Sequence, residues 1–401
     1  MANVSSSNGL EKLPKLRFPG FDEPYRKCRI GDVYAERSQR GAGDMELLSV
    51  TINEGVMPRS EIEGKDNSSE DKSNYKVVYK GDMVYNSMRM WQGANGVSTY
   101  DGIVSPAYTV LMPTEEIDNQ YFAALFKTSN LINEFRKNSQ GLTSDTWNLK
   151  YPQIRGIRLY TPSLQEQHKI SSFIGALEER IGKQRQLVDA LKKYKRGAVK
   201  KLLSPKSCPL KNARWTTAKI GELGSFVKGA PLSKADISEN GTPFILYGEL
   251  YTTYNEVVTS VKRRTQAQVD EIFLSRVGDV VIPTSGETPE EISTASCVML
   301  PGVILAGDLN IFRSDKVDGR IMSYLLNHIV NAKVARIAQG KSVVHIQASE
   351  LGKLTLSYPD ENTQKTLIDF FSKLDNKIMK EENTLDFLTD LKEGLLQQIF
   401  I

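Results

Sequence analysis

The sequence predicts an α+β protein in which two strand-rich globular domains alternate with two long helices that pair antiparallel as a coiled coil. Three observations indicate this fold: an internal repeat, a heptad pattern of apolar residues in each copy, and opposite net charges of the two helical segments. The predicted order is a first globular domain over residues 1–161, a central helix over 162–203, a second globular domain over 204–358 and a C-terminal helix over 359–401.

The internal repeat defines the two halves of the chain. Residues 162–203 align without gaps to residues 359–400, at a shift of 197, with ten identical positions. Fainter matches lie upstream: Gly81-Asp82 with Gly278-Asp279, and Gln140-Gly141 with Gln339-Gly340. The globular domains therefore share a frame and differ in their loops, which predicts a pseudo-twofold relation between the halves.

Each globular domain is predicted to mix strands and helices. Short apolar runs bounded by glycine, proline or asparagine indicate strands, for example over residues 75–85 and 277–282. Helical spacing of apolar residues predicts a helix over 119–135 and another over 319–337.

The two long helices carry apolar seams at alternating steps of four and three residues. A helix of about forty residues is roughly 60 Å long, and a stripe of this length needs a partner helix to cover it. The residues predicted to form the pairing seam are Ile181, Gln184, Val188, Leu191, Lys195, Ile378, Glu381, Leu385, Leu388, Lys392 and Leu395.

Charge favours pairing between the unlike copies. Residues 164–203 hold ten basic and four acidic residues, a balance of +6, and residues 361–401 hold five basic and eight acidic residues, a balance of −3. The polar seam positions suggest an antiparallel register in which facing residue numbers sum to 576, so that Lys195 faces Glu381. The alternative is that Lys195 and Lys392 extend from the seam's edge into solvent.

An antiparallel pair would relate the globular domains by an approximate twofold axis. Duplex DNA also has dyad axes, so each domain could bind one of two half-sites. Because the two domains differ in sequence, the half-sites should differ, which predicts a split, asymmetric DNA target.

Composition and motifs argue against several other classes. The net charge of +4 and pI near 8.7 allow a polyanionic partner without requiring one. Cys28, Cys208 and Cys297 lack the spacing of a disulfide framework or a structural zinc site. No signal peptide or membrane-length apolar run occurs, so a soluble cytoplasmic protein is expected. No adenine-methyltransferase Asn-Pro-Pro-Tyr motif and no metal-ligand histidine spacing occur, so neither a catalytic site nor a bound metal is expected.

Side chains that read bases are chiefly Arg, Lys, Asn and Gln on loops that reach a groove. The candidate DNA contacts of the first domain are Arg37, Arg40, Asn86, Arg89, Gln92, Thr143 and Ser144. Those of the second domain are Lys262, Arg263, Arg264, Thr284, Ser285, Lys341, Ser342 and His345. Two alternatives stay open: Lys262–Arg264 could be an ordinary solvated face, and Trp91 and Trp147 could pack internally instead of stacking on bases.

The order of several segments resembles the specificity subunit of type I restriction-modification systems. These segments are Pro14–Phe21, Arg29–Asp32, Lys80–Asn86 and Pro162–Gln167, and the likeness covers nearly the whole chain. The resemblance implies that the globular domains are target recognition domains and that the long helices are spacers. It also implies that two methyltransferase subunits dock on the chain, that restriction subunits join them, and that the methyltransferase partner carries S-adenosylmethionine for N6-adenine methylation, with no cofactor bound by this chain.

Two other interpretations are open from the residues alone. The chain could be a coiled-coil scaffold or regulatory protein whose globular domains bind other proteins, in which case it would lack DNA affinity or bind in a salt-insensitive way. It could also be an enzyme with an unrecognised site, which would methylate DNA without a partner.

Overall fold

The computed structural model describes residues 2–3, 13–41, 45–52, 54–340 and 344–401. The chain forms two compact units, one of residues 1–185 and 383–401 and the other of residues 186–382. The central helix, Leu164–Leu202, and the C-terminal helix, Glu361–Ile399, each contribute one half to each unit. We call residues 13–161 the first head and residues 204–358 the second head.

The first head is built around a four-stranded antiparallel sheet. Its order is Tyr34–Glu36, Tyr108–Pro113, Met83–Asn86 and Asn95–Val97. The other strands of the head are Leu16–Arg17, Arg26–Arg29, Leu48–Thr51, Gly55–Pro58, Lys76–Val78, Gly102–Val104 and Arg158–Thr161. Strand Ala2–Asn3, which precedes the head in the chain, pairs with Leu16–Arg17. The helices are Ile30–Val33, Asn119–Leu125, Ser129–Asn138 and Tyr151–Ile154, with 3-10 turns at Arg59–Glu61 and Met90–Gln92.

The second head repeats this plan with a five-stranded sheet. Its order is Ser225–Lys228, Leu309–Arg313, Asp279–Pro283, Ser296–Val298 and Val257–Val258, the last pair being parallel. The other strands are Trp215–Lys219, Thr242–Leu246, Arg263–Thr265, Ser285–Gly286, Ile304–Ala306, Val344–His345 and Thr355–Pro359. The helices are Ile220–Leu223, Glu249–Thr252, Pro289–Ile292, Gly319–His328, Asn331–Ile337 and Ala348–Lys353, with 3-10 turns at Lys234–Asp236 and Glu271–Phe273.

Three predicted elements are broken in the structure. The helix predicted over 119–135 is two helices, because the Thr128 hydroxyl donates to the carbonyl of Leu125 at 2.8 Å where the first helix ends. The helix predicted over 319–337 is likewise split near Val330. The run predicted as a strand over 75–85 is interrupted at Gly81, whose φ of 96° is a left-handed conformation that favours glycine.

A buried glutamine fixes the start of each long helix in the same way. Gln167 and Gln364, identical in the repeat, are 4% and 5% exposed. The amide nitrogen of each donates to the carbonyl of the proline five residues earlier, at 3.0 and 2.9 Å. The amide oxygens accept from the backbone N–H of Asp118 and Asp318, at 3.0 and 2.9 Å. These aspartates cap the helices that begin at residues 119 and 319, so each long helix is tied to its own head.

We expect Gln364→Leu to lower the free energy of unfolding by about 1–3 kcal/mol, because it leaves the partly buried N–H of Asp318 without its acceptor. Gln167→Leu should act alike on the first unit. Gln397→Leu, at an exposed position of the C-terminal helix, should change the free energy of unfolding by less than about 0.5 kcal/mol. Urea denaturation measures the free energy of unfolding of the three variants. A loss in Gln397→Leu as large as in Gln364→Leu or Gln167→Leu would contradict the prediction.

The helices pair antiparallel within each unit, as predicted. In the first unit, Ile170 and Ile174 near the start of the central helix share a core with Ile399 near the end of the C-terminal helix. In the second unit, Val199 near the end of the central helix shares a core with Leu367, near the start of the C-terminal helix.

The predicted register is wrong. Lys195 lies 2.6 Å from Asp375 and 2.7 Å from Glu256, and not opposite Glu381. In the first unit Lys392 pairs with Glu178 at 2.6 Å. The residue numbers of the helix–helix pair Lys192–Glu382, at 2.6 Å, sum to 574 and not to 576. Those of the Lys195–Asp375 and Lys392–Glu178 pairs sum to 570. The two pairs are related by the repeat, since a shift of 197 turns Lys195 into Lys392 and Glu178 into Asp375.

The cause of the error is the seam itself. An apolar pattern that repeats every seven residues stays in register after a slide of one heptad, so charges off the seam decide the register. The predicted seam residues are buried at Ile181, Gln184, Val188, Lys195 and Ile378, and half-buried at Leu191, Glu381, Leu385, Leu388, Lys392 and Leu395. Lys195, 8% exposed, does not extend into solvent.

Candidate nucleic-acid interface

In the first head, one central strand ends in a polar loop that two backbone hydrogen bonds hold in place. The N–H of Ser87 donates to the carbonyl of Ala107 at 3.1 Å, and the N–H of Leu149 donates to the carbonyl of Ser87 at 2.8 Å. A second loop lies beside it, closed by two hydrogen bonds between Gln140 and Asn148. The two loops that contain the candidate contacts of residues 86–92 and 143–144 are therefore neighbours.

The second head repeats these bonds. The N–H of Thr284 donates to the carbonyl of Asp308 at 2.8 Å, and the N–H of Ile346 donates to the carbonyl of Thr284 at 3.0 Å. The second loop is closed between Gln339 and His345. Gly141, which follows Gln140, has a φ of 139°, and Gly340, which follows Gln339, has a φ of 141°. Both loops therefore turn at the same point.

The loop after Asn86 presents Arg89. The Asn86 side-chain oxygen accepts from the N–H of Met88 at 3.0 Å, which tightens the turn. The Arg89 side chain is exposed and forms no ion pair with any described residue. Trp91 packs edge-to-face on Trp147 at 5.3 Å, and both rings are half-buried, so their contacts are those of internal packing. This packing joins the two loops.

A cleft of about 480 Å³ opens beside this loop, lined by Asn86, Arg89, Lys65, Arg59 and Tyr108 among others. Arg59 and Tyr108 were not predicted from the sequence. Arg59 donates to the carbonyls of Ile62, Gly64 and Lys65 at 2.6 to 3.1 Å and so shapes the loop that carries Lys65. This loop follows the strand pair Leu48–Thr51 and Gly55–Pro58, and the N–H of Arg59 donates to the carbonyl of Leu47, which also lines the cleft, at 2.8 Å.

The second head has a cleft of about 690 Å³, lined by Lys234, Tyr247, Glu249, Arg263 and Asp308 among others. Arg263 donates to the buried carboxylate of Glu249 at 2.8 Å. Partial burial, together with the nearby Glu291, raises the pKa of the Tyr251 hydroxyl, which also lines the cleft and stays neutral near pH 7. Asp308 and Lys234 were not selected from the sequence.

The structure argues against two candidate contacts. The Arg37 guanidinium donates through Nε and Nη2 to both carboxylate oxygens of Asp82, at 2.7 and 2.9 Å, and lies 4.7 Å from the Tyr79 ring, so the edge that could form a paired contact with a base is occupied inside the head. Ser285 is 4% exposed and its hydroxyl donates to Asp308 at 2.5 Å, so it cannot reach a base. Both residues hold other parts of the heads in place.

The other candidate contacts stay predictions. The exposed ones are Arg40, Arg89, Gln92, Thr143, Ser144, Lys262, Arg264 and His345. Arg263 and Arg264 are consecutive in strand Arg263–Thr265, so their side chains point to opposite faces and the basic run is not one patch. Lys341 and Ser342 lie outside the described residues.

Among the described residues, no group of three or more His, Cys, Asp or Glu side chains is arranged to hold a metal ion. No helix within the described part of the chain is both long and apolar enough to span a membrane.

Known proteins share this sequence pattern and fold. The family model for the type I restriction modification DNA specificity domain matches residues 25–193 and again 212–386. In Methanocaldococcus jannaschii, a candidate type I restriction enzyme MjaX specificity subunit is 22% identical over 346 residues, covering 78% of this chain and 76% of that protein. The type I restriction enzyme MjaVIII specificity subunit of the same organism is 21% identical over 314 residues, covering 72% of each chain.

A solved structure agrees in fold. The type I restriction-modification S subunit from M. genitalium superposes with a TM-score of 0.60 at 15% identity, covering 97% of this chain and 99% of that chain. Because the two matches of the family model span most of the sequence and coincide with its two repeats, the chain belongs to the family of type I restriction-modification DNA specificity proteins.

Proposed function

We propose that this chain is the sequence-reading subunit of a type I restriction-modification complex, in which each head reads one half of a split, asymmetric DNA target. The chain itself catalyses no reaction and binds no cofactor. Two methyltransferase subunits, which carry S-adenosylmethionine, methylate adenine within the target, and restriction subunits join the complex in the cytoplasm.

One observation carries the proposal. In both heads a cleft opens at the turn before the equivalent central strand, Tyr108–Pro113 or Leu309–Arg313. The clefts present different side chains, with Arg89 and Lys65 in the first and Lys234, Arg263 and Asp308 in the second. Two domains that recognise different base sequences require the same backbone fold with different polar side chains at the DNA-binding surface.

The helices support partner binding. Tyr194 on the central helix is 58% exposed and Phe387 on the C-terminal helix is 64% exposed. A contiguous exposed apolar surface, such as the groove that Tyr194 lines together with Leu210 and Phe370, commonly marks a binding surface. We infer that methyltransferase subunits cover these helix faces.

The decisive experiment is to express the chain with its methyltransferase partner and map N6-methyladenine across the genome by single-molecule sequencing. We expect one bipartite motif with unlike halves. The purified chain incubated alone with DNA and S-adenosylmethionine should produce no methylation, and the DNA affinity of the assembled complex should fall steeply with salt. Methylation by the chain alone would contradict the proposal, and a complex without DNA affinity would favour a protein-binding scaffold.

Replacing Arg89 tests the role of the first head. We expect Arg89→Ala to relax or weaken recognition of one half-site by roughly 1–3 kcal/mol, because a side chain that hydrogen-bonds a base edge is lost. The other half of the motif should be unchanged. Arg136→Ala is the control, since Arg136 is also exposed in the first head but stacks on Trp91 at 5.5 Å. Equal loss at both half-sites would exclude a base-reading role for Arg89.

A further inference from the structure

A turn at the rim of the second cleft holds an exposed carboxylate. Asp308 lies between strands Ile304–Ala306 and Leu309–Arg313, directly after Gly307, whose φ is 78°. Its backbone carbonyl accepts from the N–H of Thr284, so the turn is fixed to the strand end that precedes the polar loop. The side chain of Asp308 is exposed at the cleft.

The carboxylate is held in one orientation. The hydroxyl of Ser285, itself buried, donates to Oδ2 of Asp308 at 2.5 Å. Ser285 in turn belongs to a short strand that pairs with His345. Oδ1 accepts no hydrogen bond from any described residue, so one acceptor atom is both oriented and available. An oriented, available acceptor is what direct recognition of a ligand donor requires.

The first head has an alanine at the equivalent place. The carbonyl of Ala107 accepts a hydrogen bond from the N–H of Ser87, and the carbonyl of Asp308 accepts the equivalent bond from the N–H of Thr284. Ala107 also lines the first cleft. One frame thus carries a methyl group in one head and an oriented carboxylate in the other. Packing does not require the acid, because the first head is built without it.

The chemistry of a carboxylate selects one base. An ionised carboxylate only accepts hydrogen bonds. In the major groove, guanine and thymine present acceptors that repel it, and adenine places its N7 acceptor beside its amino group. Cytosine alone presents an amino donor, N4, and no acceptor of its own, and a hydrogen bond from this amino group to Asp or Glu is a recurrent base contact. Lys234 lines the same cleft and offsets the repulsion between Asp308 and the DNA phosphates, whereas the charge of Arg263 is balanced by Glu249.

We propose that Asp308 is a specificity-determining residue of the second head, whose carboxylate accepts a hydrogen bond from the N4 amino group of a cytosine in the second half-site. Ser285 is a positioning residue that orients this carboxylate. The inference rests on the proposed function, since it names the base that one head reads.

The test compares methylation motifs of complexes that contain the wild-type chain, Asp308→Asn, Ser285→Ala or Arg89→Ala, each with the methyltransferase partner. Arg89→Ala identifies the half-site of the first head. In the other half-site, Asp308→Asn should lower the preference for cytosine over adenine at one position by about tenfold or more, because an amide can donate as well as accept. Ser285→Ala should reduce the preference at the same position by a smaller factor.

The possible results distinguish a failure of the role of Asp308 from a failure of the proposed function. A bipartite motif that Asp308→Asn leaves unchanged at every position, or a second half-site without a C·G pair, overturns the role of Asp308 and leaves the proposed function intact. Absence of any bipartite motif with the wild-type chain overturns both. Asp308→Asn is nearly isosteric at an exposed position, and unchanged recognition of the first half-site shows that the variant is folded.

Discussion

Replacing Lys195 with methionine is expected to lower the free energy of unfolding by about 3–5 kcal/mol. Lys195 is 8% exposed and its ammonium lies 2.7 Å from Glu256 and 2.6 Å from Asp375. Asp375 also accepts from the hydroxyl of Tyr324 at 2.5 Å, and Glu256 lies 2.6 Å from His328. Methionine would leave two carboxylates in this half-buried cluster without their shared cation, and an unpaired charge in such a place is costly.

The repeat supplies the matched control for this prediction. Lys392 is the counterpart of Lys195 and pairs with Glu178, but the two side chains are 25% and 47% exposed. An ion pair open to solvent contributes about 0–1 kcal/mol, so Lys392→Met should cost far less than Lys195→Met. Urea denaturation followed by circular dichroism measures both. Equal costs would show that the cluster around Lys195 contributes no more than a surface pair.

The cluster also predicts a pH dependence. Burial alone would raise the pKa of Glu256, but hydrogen bonds from His328 and Lys195 and the charge of Lys195 hold it at about 2, below the ordinary value of 4.5. A carboxyl whose folded pKa is depressed stabilises the protein above its unfolded pKa, and this stabilisation is lost as the pH falls towards the folded value. The difference in stability between wild type and Lys195→Met should therefore be full at pH 7 and smaller at pH 3.

The same cluster shows what the sequence could and could not predict. The repeat and the seams correctly predicted two long antiparallel helices, because apolar periodicity is a local property of the chain. The register depended on Glu256, which lies in a loop of the second head and is sixty-one residues from Lys195 along the chain. The sequence pattern of the helices cannot predict an ion-pair partner that belongs to a different structural element.

Some residues of the candidate interface could be predicted from the sequence and others could not. The loops after Asn86 and around Thr284 could be found because the repeat aligns them and polar residues follow an apolar run. Arg59 and Asp308 were missed because strand pairing alone brings them to the clefts. Arg37 was selected for its residue type, and its partner Asp82, forty-five residues away, could not be inferred from spacing.

Replacing Glu166 with glutamine is expected to destabilise the first unit by about 3–5 kcal/mol. Glu166 is 1% exposed and accepts two hydrogen bonds from the Arg17 guanidinium, at 2.9 and 2.8 Å. The hydrogen bond and charge of Glu166 raise the pKa of Arg17. The guanidinium also stays charged beside a neutral partner, because arginine is not deprotonated in proteins. Glutamine would therefore leave a buried cation without a counter-ion at the start of the central helix.

A double variant tests whether the charge pair or the shape of the site matters. The double variant Arg17→Met/Glu166→Met removes both charges and keeps much of the apolar volume, so we expect it to be more stable than Glu166→Gln by about 1–4 kcal/mol. The second unit supports this expectation, because the repeat counterpart of Glu166 is Thr363, which donates to Asp360 at 3.0 Å and carries no charge. A double variant as unstable as Glu166→Gln would mean that the N-terminal segment needs the ion pair itself to bind the central helix. Recovery would instead show that apolar packing, such as that of Phe18 on Phe173 at 5.7 Å, is sufficient to hold it.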